Sequence, residues 1–87
     1  MITRKVTYHG KFDSSAISAV VDLARKAELT GQVTVPSPNT MVLNLEGDPS
    51  YLKLLQHQIE RQLKAIITGK DVEILPYQYY VGLTFLP

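Results

Sequence analysis

At 87 residues the chain has room for one hydrophobic core and no second, so residues 1–87 are expected to form a single domain. Hydrophobic residues make up 45% and charged residues 20%, which excludes a largely disordered chain. A net charge of +1, from 9 basic and 8 acidic residues with neither sign in a run, excludes the electrostatic footprint of a dedicated nucleic-acid or membrane-surface binder.

The chain has no cysteine, so disulfides, thiolate nucleophiles and the usual structural zinc sites are excluded together. Met1 to Val6 is strand-like rather than an apolar leader, and no run of apolar residues is long enough to span a bilayer. The expectation is a cytoplasmic protein with no membrane span.

Residues 2 to 9 alternate, with Ile2, Val6 and Tyr8 on one side and Thr3, Lys5, Thr7 and His9 on the other, which predicts a strand with one buried face. Arg4 breaks the apolar side. Gly10 ends the strand, and Asp13, Ser14 and Ser15 offer oxygens to cap a following helix. Ile17, Val20, Val21 and Ala24 then fall at helical spacing, widened by Ala16, Leu23 and Ala27, with Ser18, Asp22, Arg25 and Lys26 opposite. This amphipathic helix is expected over roughly 15 to 29, ending before Gly31.

Gln32 to Val35 and Thr40 to Leu45 are rich in β-branched residues and are parted by Pro36, Ser37, Pro38 and Asn39, the composition of a stiff hairpin tip. Val33 and Val35 should share the core face with Met41, Leu43 and Leu45. Glu46, Gly47, Asp48 and Pro49 form a turn into a second helix, with Asp48 as cap and Pro49 at its first position. Leu52, Leu55, Ile59, Leu63 and Ile66 mark its inner face, Lys53, His57, Glu60 and Lys64 its wet side, and Gly69 its stop, which places it over 49 to 67. Val72 and Ile74 then predict a fourth strand, and Val81, Leu83 and Phe85 a short fifth.

The order βαββαβ plus a short terminal strand is that of a ferredoxin-like α+β two-layer sandwich, an antiparallel sheet with two helices on one face. The stretch Ala24 to Val35, the hairpin turn, Val42 to Gly47 and a helix from Pro49 resemble the acylphosphatase family over most of the chain. That family places in this order a helix ending in a leucine-x-glycine step, a hairpin, a strand ending in glutamate-glycine and a second helix. The resemblance implies a phosphate-binding loop between strand one and helix one. In the family that loop is glycine-rich and ends in an arginine that grips the acyl phosphate, while an asparagine at the end of strand two orients the attacking water.

Neither residue is found here. The loop Gly10 to Ser18 has one glycine and no arginine, and is one residue shorter. The asparagine position falls on Val35, the nearest asparagine is Asn39 in the turn, and Arg4, Arg25 and Arg61 all lie outside the loop. Catalysis of this kind rests on positioning and electrostatic stabilisation of phosphoryl oxygens, which a distant charge does not replace.

Other constellations are modest. Lys11, Ser14 and Ser15 could hold an anion at the first helix's start, although Asp13 brings its own charge there. His9 and His57 have no partners at metal or acid–base spacing. Tyr77, Tyr79 and Tyr80 are the densest aromatic cluster, suited to an interaction surface or to a terminal Tyr-rich strand that covers the sheet edge. An RNA-reading sheet face would need stacking aromatics, and strand one offers only Thr3, Lys5, Thr7 and His9.

The expectation is a noncatalytic acylphosphatase-like domain that binds a protein or a small ligand, with no catalytic residue, cofactor or metal assigned and with nucleic acid disfavoured. The alternatives are a weak or altered acyl-phosphate hydrolase using the Lys11 loop, or an RNA-binding ferredoxin-like module.

Overall fold

The computed structural model describes residues 1–86. In chain order its elements are β1 (Ile2–Gly10), α1 (Ser14–Lys26), β2 (Thr30–Ser37), β3 (Thr40–Gly47), α2 (Pro49–Gln62), β4 (Ile67–Leu75) and β5 (Leu83–Leu86). The strands form one sheet in the order β4-β1-β3-β2-β5. The first four pair antiparallel, and β5 is added parallel to β2, so the complete sheet is mixed rather than purely antiparallel.

One face of the sheet carries the core. Val6 and Tyr8 of β1, Val33 of β2 and Met41, Leu43 and Leu45 of β3 meet Val20, Val21 and Ala24 of α1 and Leu52, Leu55 and Ile59 of α2, all buried. Both helices therefore lie on that face, and their starts are set by the expected caps. Asp13 accepts the Ala16 amide at 2.9 Å, and Asp48 accepts the Ser50 amide at 2.9 Å with Pro49 following it.

The helix ends differ from the expectation. α1 stops at Lys26, where Glu28 turns left-handed at φ 56° and the Leu29 amide reaches back to the Ala24 carbonyl at 3.3 Å. Gly31 already belongs to β2, at φ 148° and so close to β3 that a side chain would meet the Asn44 carbonyl oxygen. α2 ends at Gln62, and the Ile66 and Ile67 amides both donate to the Leu63 carbonyl, so Ile66 covers the core from a turn. Gly69 does not stop α2; it lies within β4 opposite His9. An apolar residue at helical spacing and one folded over the core by a turn leave the same pattern in the sequence.

Two polar residues on the helix side of the sheet are held by partners on other elements, Arg4 as its place on the apolar side of β1 requires and Glu60 against expectation. Arg4 breaks the apolar side of β1 because its Nε donates to Gln56 Oε1 of α2 at 2.7 Å. Glu60 is half-buried rather than on the wet side of α2, accepting from Tyr8 Oη, Gln56 Nε2 and Lys70 Nζ, each at 2.9 Å. Burial alone would raise the Glu60 carboxyl, but these hydrogen bonds and the Lys70 charge hold it below its ordinary value. The Tyr8 hydroxyl is pushed up, first by burial and then by its bond to Glu60. Among the described residues, no helix is long and apolar enough to cross a membrane.

Candidate functional site

The stretch where the resemblance would place a phosphate-binding loop is Lys11, Phe12 and Asp13, between β1 and α1. The sequence builds it tightly. A side chain at Gly10 would run into the Ile66 carbonyl, so the chain passes close to the turn after α2 only because this residue is glycine. Phe12 turns inward and is buried in the core, which draws the loop down onto the sheet.

Two backbone donors at the loop, those of Gly10 and Phe12, are spent on the protein itself. The Gly10 amide donates to the Asn39 carbonyl at 3.0 Å and the Phe12 amide to the Pro38 carbonyl at 3.1 Å, tying the loop to the β2–β3 hairpin tip. In the first turn of α1, the Ala16 amide bonds Asp13 Oδ1 and the Ile17 amide bonds the Asp13 carbonyl at 3.1 Å. Asp13 thus places a carboxylate at the positive end of the helix, where a bound anion would otherwise gain most.

A shallow groove remains, lined by Lys11, Phe12, Asp13, Pro38 and Asn39. Of the residues read as an anion site, Lys11 lines this groove, while Ser14 and Ser15 are exposed on the first turn of α1 outside it. Val35 is half-buried against the core. No arginine reaches the loop: Arg4 is held by Gln56, Arg25 is in the last turn of α1, and Arg61 faces a groove shared with Leu23, Gln58 and Gln62. Chemically, the arrangement offers one exposed ammonium beside a carboxylate.

The three tyrosines lie on a crossover from β4 to β5, residues 76 to 82, which carries the chain from one edge of the sheet to the other. This segment is a loop, with the tyrosines outside any strand. Val81, placed in the fifth strand by alternation, precedes it and is 95% exposed. The Tyr77 and Tyr79 rings meet edge to face with centroids 4.4 Å apart, and Tyr79 is exposed at a left-handed φ of 59°.

What anchors the crossover is its backbone, through Glu46 near the end of β3. Glu46, 2% exposed, accepts the Gln78 and Tyr80 amides at 2.6 Å each and the hydroxyl of Thr3. Burial raises the Glu46 carboxyl, but the Thr3 hydroxyl and the amides of Gln78, Tyr80 and Tyr79 outweigh it and hold the group below its ordinary range. The one sequence signal for this was parity: Glu46 follows core-facing Leu45 and so points to the open side of the sheet, where nothing local says that it will be covered.

The histidines do not come together. His9 Nε2 stands 3.4 Å from Asp71 Oδ2 on the surface, and His57 is exposed on α2. Among the described residues, no three His, Asp or Glu side chains are grouped to hold a metal ion.

No protein-family model matches the chain, and no curated protein matches it at a significant level. Solved structures do. An acylphosphatase from Bacillus subtilis superposes with a TM-score of 0.83 at 14% identity, covering 100% of both chains. An acylphosphatase from Coxiella burnetii gives 0.81 at 18% identity over 98% of this chain and 92% of that one. Full-length HypF, in a phosphate- and nucleotide-bound form, gives 0.77 at 17% identity over 100% of this chain and 12% of that one. With identities this low the likeness is one of fold, and in fold the chain is an acylphosphatase-like, ferredoxin-like α+β sandwich.

Proposed function

We propose that this acylphosphatase-like domain is noncatalytic and acts as a protein-interaction or small-ligand-binding module. The observation that carries this reading is the engagement of the Gly10 and Phe12 amides by the Asn39 and Pro38 carbonyls. A phosphate cradle needs free, convergent amide donors, and these two are already satisfied inside the protein. The missing loop arginine and Val35 in the asparagine position point the same way. Loss of a single preorganised donor of this kind costs about a hundredfold or more in other enzymes.

The test is hydrolysis of benzoyl phosphate by the purified protein. No turnover above buffer is expected. Turnover that disappears in Lys11→Ala would overturn the reading and give Lys11 the anchoring role, in favour of an altered hydrolase. Turnover that survives Lys11→Ala, follows the protein through a second purification and is lost in Asp13→Ala would overturn it as well.

A further inference from the structure

β4 closes one side of the sheet, with β1 on its inner side and no described strand on its outer side. Its register against β1 is continuous from Leu75 to Gly69, so the outer row of backbone N–H and C=O groups is a straight template for one more strand. Native edges are usually guarded by lysine, proline or a bulge. Lys70, the lysine on the helix-side face of β4, is instead turned inward to Glu60 Oε1 at 2.9 Å. The next two residues of that face, Val72 and Ile74, stay 41% and 53% exposed beside Val6 and Arg4.

The opposite face of the same edge is acidic. Asp71 and Glu73 both point to the open side and are exposed, and among the described residues the one ion pair of Asp71 is the 3.4 Å contact with His9. β1 shows what such a pattern accepts, because it sets Lys5 opposite Glu73 and Val6 opposite Val72. A strand on the outer side meets the same two faces and is favoured by the same chemistry, basic against Asp71 and Glu73 and apolar against Val72 and Ile74.

In the registers centred on the acidic pair, a second copy of β4 is disfavoured. Antiparallel pairing about a two-fold axis centred on Asp71, Val72 or Glu73 sets Asp71 against itself, Asp71 against Glu73, or Glu73 against itself, and like charges directly opposite are destabilising.

We infer that the outer edge of β4 docks an extended segment of a partner protein in which apolar and basic side chains alternate, added as a sixth strand of the sheet. This names a surface for the interaction role proposed above and rests on that role, but not on the loss of catalysis. Benzoyl phosphate hydrolysis with peptide binding intact would sink the noncatalytic reading alone. Absence of both would sink this surface alone.

The test is an NMR titration of the whole chain with the capped heptapeptide Thr-Lys-Val-Lys-Val-Lys-Val. Saturable amide shifts confined to Ile67–Leu75 and its β1 neighbours are expected. Binding should weaken about tenfold or more in the double variant Asp71→Lys with Glu73→Lys, and by less in Asp71→Asn with Glu73→Gln. The peptide with Glu in place of each Lys should bind the lysine variant and not the natural chain. Both positions are exposed, and the amide spectrum reports directly that each variant is folded. No shift in β4 up to about 1 mM peptide, a range that captures even weak association, would overturn the inference. Shifts at another surface, or equal binding by the lysine variant, would do the same. A concentration-dependent dimer with protected β4 amides would assign the edge to a second copy and overturn the occupant named here.

Discussion

Thr3 and Glu46 stand opposite each other in the β1–β3 pair, and both are sealed from water by a segment that belongs to neither strand. The hydroxyl donates to the carboxylate, and the Gln78 and Tyr80 amides complete the shell. The buried charge is tolerated because its acceptor positions are filled by fixed donors, and it in turn holds the crossover that delivers β5 to the edge of β2.

Replacing Glu46 with Gln puts a side-chain NH₂ where backbone amides already point, so donors face donors. The substitution should cost about 1–3 kcal/mol, the range for disrupting buried hydrogen bonds to a charged group. It should also change the pH dependence of stability. The Glu46 carboxyl lies below its ordinary value of 4.5 in the folded state, so its contribution is complete above that value and is lost as pH falls through the lowered one. Urea midpoints measured from pH 7 to pH 3 should therefore fall less steeply in the variant, and parallel curves would show that the latch contributes nothing.

Backbone proximity makes Gly31 the least replaceable glycine of the hairpin. Gly31→Ala sets a Cβ against the Asn44 carbonyl and 2.9 Å from Leu45 Cα at a φ of 148°, so β2 must separate from β3. A loss of at least 1–2 kcal/mol, roughly the scale of a strained backbone position, is expected in chemical denaturation. Leu43→Ala and Leu55→Ala, both in the buried core, should each cost about 2–5 kcal/mol. An unchanged midpoint in either would contradict the placement of that side chain.

Supplying the arginine and asparagine of the acylphosphatase pattern should not create chemistry. Ser18→Arg with Val35→Asn supplies a guanidinium and an amide, but the Gly10 and Phe12 amides would still be donated to the hairpin tip. Benzoyl phosphate turnover by the double variant is expected to stay at the buffer rate. A clear gain would mean that the loop reopens easily and that only the two side chains were lacking.

Mixed single-stranded RNA should bind weakly and be released by modest salt. The open face of β1 presents Lys5, Thr7 and His9 without a stacking aromatic, Thr3 is covered by the crossover, and Tyr77, Tyr79 and Tyr80 are gathered on that crossover instead. Sequence-selective binding at physiological salt, lost when Tyr79 and Tyr80 are replaced by Ala, would contradict this.

The element order, both helix caps, the hairpin and the inner faces of β1, β3 and α2 were legible in the residues alone. Each depends on short-range rules: alternation along a strand, helical spacing, an aspartate before a helix, proline at its first position. The absence of a loop arginine and of the β2 asparagine was equally legible, since it needs only a reading of positions. Three-dimensional packing decided the rest. Glu60 looked solvated because a helical wheel shows α2 without the Tyr8 and Lys70 that close over it from β1 and β4. Glu46 looked like a turn residue because the amides that bury it arrive from more than thirty residues later along the chain. The Gly10 and Phe12 amides on either side of Lys11 are spent on carbonyls of a hairpin whose tip lies nearly thirty residues away in sequence. Local patterns record which face a side chain takes, whereas what covers that face depends on contacts that form only when distant segments meet.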